Sequence, residues 1–333
     1  MITDFTRTLG RSGIEVSPMG MGCWAIGGPW KFNGVPAGWS QVDDAESERA
    51  IRRAFDLGVT YFDTAANYGA GHSERLLGNV FKDRRDQVVI STKFGYIVDE
   101  RNKEVRHYDE AEEHSHVAEH LKQDVEASLI RLDTDYIDVY FLHVWGLDID
   151  LALEAREVLE DLVRQGKIRT YGWSTDRPDA IKAFATSSNC SAVQQQLSVL
   201  DGNMELLALC EEQNLASVNR GPLGMGLLTG KFAPDTTFAS DDVRRYANWH
   251  PGFQDGKPTQ DWLNKLASIR EVLTSGGRTL SQGALAWIWA KSEKTVPIPG
   301  FKNTAQVEEN CKAMQFGPLS SDQMKEIDQI LGR

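Results

Sequence analysis

Short apolar runs alternate along the chain with longer segments in which apolar residues recur every three or four positions. Eight runs have the length and composition of buried strands: Met19–Met21, Val59–Phe62, Val88–Thr92, Ile137–Leu142, Ile168–Trp173, Ala192–Gln195, Ala216–Val218 and Thr295–Ile298. The segments between them have the period of amphipathic helices. The pattern predicts strands that alternate with helices.

The predicted helices carry recognisable ends. In His116–Leu132 the apolar residues fall on one helix face, and Ser115 is placed to cap its first turn. Leu151–Gln165 repeats the pattern, and Gly166 stands where a helix ends in a left-handed residue. Ser320–Leu331 predicts an extra helix at the C-terminus.

Strands that alternate with helices of 10 to 15 residues indicate βαβ units and a parallel sheet. Eight such units predict an α/β fold, a (β/α)8 TIM barrel, and residues 1–333 contain no linker-like stretch that would divide them, so we expect one domain. An N-terminal β-hairpin around Gly10–Gly13 is expected to plug the barrel. Residues 27–42 and 229–258 are expected to be long irregular loops on the face that carries active sites in such barrels.

Two nucleotide-binding motifs are excluded by their context. Gly20–Ala25 matches the GxGxxA pattern of a doubly wound fold, but residues 27–38 are rich in glycine and proline, so no helix can follow at once. Gly226–Lys231 is one residue too short for a phosphate-binding P-loop, and Phe232 replaces the required Ser or Thr.

The composition is that of an ordinary globular protein with an acidic surface. The net charge of −12 disfavours nonspecific binding to nucleic acid and to anionic membranes. Four separated cysteines, no apolar leader and no run long enough to span a membrane fit a cytoplasmic protein. Whether copies of the chain associate into a homo-oligomer stays open.

Ionisable residues stand at the ends of three successive predicted strands. Asp63, Lys93 and His143 directly follow the second, third and fourth strands, and Tyr68 comes five residues after Asp63. Strand ends of a parallel barrel meet at one rim, so we expect these side chains to form a catalytic group.

Each of these groups suits one task in the reduction of a carbonyl. Tyr68, a phenol with an ordinary pKa near 10, can donate a proton, and a neighbouring Lys93 would favour its phenolate. Asp63 would keep Lys93 charged, and His143 would donate a hydrogen bond to the carbonyl oxygen. No paired carboxylates and no activated Ser or Cys accompany them, which disfavours hydrolysis.

The segments around these residues resemble the aldo-keto reductase family, in its bacterial branch of aldehyde and sugar reductases. The resemblance covers about residues 6–331 and is carried by several motifs in order: Phe62–Gly69, Ser73–Glu74, Leu77–Gly78, Ser91–Gly95, Tyr136–His143, Gly172–Ser174, Gly221–Leu223, Leu227–Lys231 and Ile298–Gly300. The resemblance implies a (β/α)8 barrel, a nicotinamide cofactor and the catalytic tetrad Asp63, Tyr68, Lys93 and His143.

The resemblance also implies the cofactor site. Ser174 and Gln194 would hold the nicotinamide carboxamide, and Gly221–Gly226 would pass along the pyrophosphate. The whole set of implied cofactor residues is Gly22, Cys23, Trp24, Asp63, Ser174, Thr175, Gln194, Arg220, Gly221, Pro222, Leu223, Gly224, Gly226, Lys231, Gly300, Phe301, Lys302, Gln306, Glu309 and Asn310.

The chain departs from the family pattern at several cofactor positions. Many relatives have Asn in place of Thr175 and an aromatic residue near Arg220. The guanidinium of Arg220 could stack on the nicotinamide or bind an oxygen of the substrate or of a phosphate. Alternatively, it forms a salt bridge at the rim. Gly300 and Gln306 replace a lysine and an arginine that clasp the ribose 2′-phosphate, and Lys302 compensates. We therefore expect NADP(H), with NAD(H) as the alternative.

Two further groups of residues bear on ligands. His107, His114, His116 and His120 lie close in sequence, but no completing ligand set accompanies them, so we expect a solvated helix start and no metal. Trp30 and Trp145 are expected to line the substrate pocket together with Tyr68 and His143.

These features predict an NADP(H)-dependent oxidoreductase that reduces an aldehyde or ketone, sugar-derived ones included, with Tyr68 as proton donor. A competing hypothesis is an NADP-binding regulatory subunit that resembles the β subunits of potassium channels. An NAD-dependent aldose dehydrogenase is also compatible with these residues. A metal-dependent barrel hydrolase that uses the histidines is the least favoured function.

Overall fold

A barrel of parallel strands forms the centre of the molecule, in a computed structural model that describes residues 5–108, 116–144 and 146–333. Within these residues eight strands follow each other around the barrel in chain order. They are β1 (Gly20–Gly22), β2 (Tyr61–Asp63), β3 (Val89–Phe94), β4 (Ile137–Leu142), β5 (Ile168–Ser174), β6 (Cys190–Ser198), β7 (Ala216–Arg220) and β8 (Thr295–Pro297).

The last strand returns to the first. The amide of Gly22 donates a hydrogen bond of 3.0 Å to the carbonyl of Pro299, and Gly22 forms a parallel bridge with Gly300. This nearly closed arrangement confirms the (β/α)8 fold that the alternating pattern predicts.

Helices cover the outside of the barrel. They are α1 (Asp44–Asp56), α2 (His72–Phe81), α3 (Val117–Leu132), α4 (Ile149–Arg164), α5 (Pro178–Phe184), α6 (Met204–Glu212), α7 (Gln260–Thr274), α8 (Leu280–Lys291), α9 (Thr304–Lys312) and α10 (Ser321–Leu331). The helix α7 lies in the long insertion after β7, and α10 is the extra C-terminal helix that the sequence predicts.

Local sequence explains the ends of α4. Its first turn is capped by Asp148, whose carboxylate accepts a hydrogen bond from the amide of Asp150. It ends before Gly166, which adopts a φ of +74°. Ala155, Leu159 and Leu162 are buried on its inner face, as the periodicity predicts. Ser115, the predicted cap of α3, lies outside the described residues.

The N-terminal hairpin closes the lower end of the barrel. Its strands Arg7–Thr8 and Glu15–Val16 pair antiparallel. Leu9 and Ile14 are buried in one cluster with inward-facing strand residues such as Val89. The hairpin therefore plugs the end opposite to the carboxyl ends of the strands, and the plug shields apolar residues from water.

The segment 27–42 is not a purely irregular loop, contrary to expectation. Lys31–Phe32 and Val35–Pro36 form a hairpin that turns at Asn33 and Gly34, both with positive φ. It joins a second hairpin, Ile97–Asp99 with Glu104–Arg106, in a four-stranded sheet. We call this sheet the roof, because it covers the rim next to β2 and β3.

The segment 229–258 is also more regular than expected. It contains the short helix Val243–Tyr246 and a hairpin of Phe253–Gln254 with Lys257–Pro258. The hairpin turns at Asp255 and Gly256, with φ of +50° and +71°. Asn-Gly and Asp-Gly pairs favour such turns, and the expectation of irregular loops overlooked this local signal at both hairpins.

Candidate active site

The four ionisable residues of the sequence prediction meet at the carboxyl ends of the strands. Asp63 ends β2, Lys93 lies near the end of β3, and His143 directly follows β4. The ammonium Nζ of Lys93 lies 2.8 Å from Oδ2 of Asp63 and 3.2 Å from the hydroxyl of Tyr68. The rings of Tyr68 and His143 have centroids 6.0 Å apart. The structure therefore brings all four side chains together.

Lys93 is a buried cation held by acceptors on several sides. Besides Asp63 and Tyr68, it donates a hydrogen bond of 2.6 Å to the carbonyl of Thr64. Its side chain is 0% exposed, and that of Asp63 is 2% exposed. Burial alone would lower the pKa of Lys93, but Asp63 and Tyr68 outweigh it and raise this pKa. The lysine therefore remains charged.

Lys93 favours the phenolate of Tyr68, as expected, but burial has the larger effect on this phenol. Burial raises the pKa of the Tyr68 phenol, and the neighbouring Lys93 lowers it by less than burial raises it. Arg220 also lowers it, while Asp63 raises it. The phenol therefore keeps its proton at neutral pH, which suits a proton donor.

His143 is a neutral imidazole. Burial holds its pKa well below 6.5, and the cations Lys93 and Arg220 lower it further. A neutral ring has one N–H donor and one acceptor nitrogen. It can donate a hydrogen bond to a carbonyl oxygen without giving up a proton.

The second oxygen of Asp63 is also engaged. Its Oδ1 accepts hydrogen bonds from Ser91 Oγ at 2.7 Å and from Gln194 Nε2 at 2.8 Å. The oxygen Oε1 of Gln194 lies 3.5 Å from Ser174 Oγ. Gln194 and Ser174 thus lie beside the tetrad. The sequence reasoning missed Ser91, because nothing in the sequence distinguishes its hydroxyl from the many other serines.

The residues after β1 form the floor next to Asp63. The amide of Cys23 donates a hydrogen bond of 2.8 Å to the carbonyl of Asp63. Burial and Asp63 raise the pKa of the Cys23 thiol well above its ordinary value, so this thiol is unreactive. A Cβ on Gly22 would lie 2.7 Å from the carbonyl oxygen of Ile298, which explains the need for glycine there.

Aromatic side chains surround Tyr68. The ring of Trp24 stacks beside it with centroids 5.9 Å apart, and Tyr96 lies against His143 at 5.9 Å. The roof contributes Phe32, whose ring contacts Tyr96 at 5.2 Å. The sequence reasoning missed Tyr96 because the second hairpin was not predicted.

Of the two tryptophans expected in the substrate pocket, the structure describes only Trp30. Trp30 is 6% exposed and packs under the roof against Ala70 and Val105, so it supports the roof rather than lining an open pocket. Trp145 lies outside the described residues. Trp24 is the loop tryptophan that the structure stacks on Tyr68.

Arg220 forms an ion pair at the rim. Its guanidinium contacts the carboxylate of Asp176 and lies 3.4 Å from Oε1 of Gln196. The same carboxylate accepts a hydrogen bond of 2.7 Å from the amide of Gln196. The guanidinium nevertheless lies near enough to lower the pKa values of Tyr68 and His143.

The segment after β7 forms a chain of left-handed turns. Gly221, Gly224 and Gly226 have φ of +62°, +54° and +96°. A Cβ on Gly221 would lie 2.5 Å from the side chain of Gln196. Pro222 and Leu223 are buried beneath this segment. Such a glycine-rich turn leaves backbone groups accessible to a ligand.

The segment after β8 follows the neighbouring strand, because β7 and β8 pair in parallel. The amide of Lys302 donates a hydrogen bond of 2.7 Å to Oε1 of Gln306 in the first turn of α9. Nδ2 of Asn310 lies 3.5 Å from the carbonyl of Gly300. Phe301 is 1% exposed and its side chain packs in the main core, so a contact of this residue with a cofactor would come from its backbone.

Cations gather between these two segments. Burial lowers the pKa of Lys302, and Arg244 and Lys231 lower it further, although Asp242 acts in the opposite direction. Lys302 Nζ donates to the carbonyl of Trp39, which joins the first long loop to this region. Arg244 was missed by the sequence reasoning, since nothing in the sequence marks it among many basic residues.

The remaining cofactor residues lie in the same region. Glu309 is close enough to Lys231 to raise its pKa, although burial and Arg244 together lower it. Thr175, in place of a frequent Asn, is buried beside Ser174, and its hydroxyl accepts a hydrogen bond of 3.4 Å from the amide of Arg177. These side chains border the rim that carries the tetrad.

The three described histidines near α3 each have a different partner, and the rings of His116 and His120 have centroids 6.5 Å apart. His116 pairs with Glu119 at 3.0 Å, His120 stacks on Tyr108 and His107 packs against Phe32. His114 lies outside the described residues. Among the residues that the structure describes, no three potential metal ligands lie close together, and no helix has the length and apolarity to cross a bilayer.

Comparison with known proteins agrees with the geometry. The model of the aldo/keto reductase family matches residues 18–332. Aldo-keto reductase YhdN of Bacillus subtilis is 32% identical, with 96% of this chain and 91% of the relative covered. The NADH-specific methylglyoxal reductase of Escherichia coli is 30% identical, with 98% of each chain covered.

A solved structure of a similar protein has the same fold. The glycerol dehydrogenase of Gluconobacter oxydans has a TM-score of 0.82 and 29% identity to this chain, and the match covers 99% of this chain and 95% of that one. The family match spans almost the whole length, and the neighbouring structure has the same fold. The chain belongs to the aldo/keto reductase family of oxidoreductases.

Proposed function

We propose that this protein uses NADPH to reduce an aldehyde or ketone to an alcohol, with Tyr68 as the proton donor. The observation that carries the proposal is the buried ammonium of Lys93, held between the carboxylate of Asp63 and the hydroxyl of Tyr68. A charged lysine stabilises the phenolate that forms when the phenol gives its proton away.

The residues divide the work as follows. Tyr68 holds the proton until the carbonyl oxygen gains negative charge, and Lys93 then stabilises the resulting phenolate. Asp63 keeps Lys93 charged and in position. The neutral imidazole of His143 donates a hydrogen bond to the carbonyl oxygen and thereby orients it. A bound nicotinamide dinucleotide would supply the hydride.

The residues present fit such a dinucleotide. The glycine turns after β7 leave the backbone open, and α9 offers a helix N-terminus, a position that favours phosphate. Lys231 and Lys302 add positive charge between these segments, whereas the guanidinium of Arg244 is paired with the carboxylate of Asp242. Ser174 and Gln194 would hold the carboxamide beside Asp63.

The charge of Lys302 favours NADPH over NADH, because only NADPH carries a 2′-phosphate. NADH remains the competing cofactor, since Gly300 and Gln306 provide no charge and one relative is named as NADH-specific. Initial rates with each cofactor at equal concentrations decide between them. A kcat/KM for NADPH at least about tenfold above that for NADH, or about 1.4 kcal/mol, supports the proposal.

Flat and cyclic molecules are the substrates that the aromatic side chains around Tyr68 would favour. Trp24 and Tyr96 present ring faces near Tyr68 and His143, and aromatic faces suit sugar rings and aromatic aldehydes. Trp145 remains a proposed contact from the loop after β4. Reduction rates for a series of aldoses and aromatic aldehydes would rank these two classes.

Mixing the protein with NADPH and a panel of sugar, aliphatic and aromatic aldehydes tests the activity. Oxidation of NADPH with one alcohol formed per cofactor is the expected result. Tight NADPH binding without turnover of any carbonyl would instead favour a regulatory subunit like the potassium-channel β subunits.

A further inference from the structure

Asp63 is fixed through both carboxylate oxygens. Oδ2 accepts a hydrogen bond from Lys93, whereas Oδ1 accepts one from Ser91 at 2.7 Å and one from Gln194 at 2.8 Å. Oδ2 and the carbonyl of Thr64 together hold Lys93 beside Tyr68, so a rotation of the carboxylate removes one of the two contacts that fix the lysine. The donors on Oδ1 therefore act on the position of Lys93.

One of these donors belongs to a longer chain of hydroxyl groups. The hydroxyl oxygens of Tyr61 and Ser91 lie 2.9 Å apart. A serine hydroxyl has one proton, and Ser91 gives it to Asp63, so Tyr61 must be the donor in this contact. Burial and Asp63 raise the pKa of the Tyr61 phenol well above its ordinary value, so the donor proton stays in place.

The strand register places this chain on the inner side of the barrel. Ser91 is the partner of Asp63 across β2 and β3, and Tyr61 lies two residues before Asp63 on the same face. Tyr61 and Ser91 are both fully buried. On β1, a Cβ at Gly20 would lie 2.6 Å from the Tyr61 ring, so the ring fits only because that neighbour is glycine.

Packing does not explain these hydroxyl groups. The Tyr61 ring lies in the inner cluster with Val89 and Val139, where phenylalanine would fill the same space. Burying a hydroxyl group is unfavourable unless it forms a hydrogen bond. Here each buried hydroxyl has a partner, and the last partner is the carboxylate of Asp63. Hydrogen bonds in such a chain polarise one another and strengthen the final bond to the charge.

We propose that Tyr61 and Ser91 form a hydroxyl relay that positions Asp63, and through it Lys93, for the proton transfer from Tyr68. Both are positioning residues, since neither touches the tyrosine that donates the proton. The inference rests on the proposed function. It adds that the proton-transfer machinery extends into the barrel interior to Tyr61, the inward-facing residue before Asp63 on β2.

The relay predicts a loss of kcat without loss of substrate binding. Ser91→Ala removes one donor from a buried carboxylate, and we expect kcat to fall about 10- to 100-fold, the range for a hydrogen bond to a charged group. Tyr61→Phe keeps the ring and removes only the donor behind Ser91, so its loss of kcat is smaller, about three- to tenfold. KM for the carbonyl changes by less than about threefold in both variants.

The double variant gives the sharpest test. If Tyr61 acts only through Ser91, Tyr61→Phe has no further effect on kcat once Ser91 is alanine. It should also raise the Tm of the Ser91→Ala protein, because the phenol left without its partner is removed. Independent, multiplicative losses of kcat in the double variant would contradict the relay, as would unchanged kcat in both single variants.

Controls separate this inference from the proposed function. Tyr140→Phe removes another fully buried tyrosine hydroxyl, on β4, and should leave kcat unchanged. If the Ser91→Ala protein does not fold, the relay is tested by comparing the kcat of Tyr61→Phe with that of Tyr140→Phe. Full turnover by Tyr68→Phe would overturn the proposed function itself. Loss of turnover in Tyr68→Phe with normal kcat in the relay variants would overturn only the relay.

Discussion

Lys93 and Asp63 form an ion pair of 2.8 Å inside the mouth of the barrel, with both side chains almost completely buried. Desolvation of two charges is costly, and a buried pair of this kind usually adds little net stability. Its presence at the end of two adjacent strands, next to a phenol, is therefore best explained by catalysis.

Replacing the lysine should damage stability and activity together. Lys93→Met leaves the Asp63 carboxylate buried without a cation, and we expect the free energy of unfolding to fall by about 3–5 kcal/mol. Urea denaturation measures this loss. The exposed Lys265→Met serves as the matched control, and an equal stability of the two variants would show that Asp63 does not need the ammonium.

Cofactor preference should depend on Lys302. We expect Lys302→Met to weaken NADPH binding about 10- to 100-fold and to leave NADH binding within about twofold, because the lost group would contact the 2′-phosphate. Quenching of tryptophan fluorescence by each cofactor gives the two Kd values. Lys312→Met, at the other end of α9, is the control. Equal weakening of NADPH binding and NADH binding would mean that Lys302 contacts a part of the dinucleotide that both cofactors share.

The loop histidine His250 should make the protein sensitive to acid. Burial, together with the nearby cation of Arg220, lowers the pKa of His250 to about 4. The unfolded chain binds a proton near pH 6.5, whereas the folded protein resists protonation until about pH 4. Stability from this group is therefore complete above pH 6.5 and declines by about 3 kcal/mol as the pH falls to 4.

The variant His250→Asn tests this sign. The amide oxygen can replace Nδ1, which accepts a hydrogen bond of 3.0 Å from Gly252, but asparagine does not titrate. Free energies of unfolding at about pH 7 and about pH 4.5 should differ less in the variant than in the natural protein. The same pH dependence in both proteins would mean that other groups cause the acid sensitivity.

The sequence predicts the barrel and the catalytic strand ends because both depend on local patterns. Apolar runs at regular spacing define the eight strands, and the residues that end β2, β3 and β4 must meet at one rim. The resemblance adds a prediction of the segments that would hold the cofactor. In the structure the side chain of Phe301, one of these residues, lies in the core. The Asn33-Gly34 turn was readable, and it was missed within a glycine-rich stretch.

Other features depend on contacts between residues far apart in the chain. The partner of Arg220 is Asp176, and the second oxygen of Asp63 is bound by Gln194, 131 positions away. The pKa of Tyr68 is set by burial, which no sequence pattern gives. Such properties follow from the packed structure alone.

The central claim is that Tyr68 donates the proton to the carbonyl oxygen. Its most direct test is a single turnover in the stopped-flow apparatus, with NADPH-saturated protein mixed with an aldehyde that the natural protein reduces. Tyr68→Phe should reduce the rate of NADPH oxidation at least about 100-fold while its Kd for NADPH stays the same. A variant that oxidises NADPH at the natural rate would contradict the account.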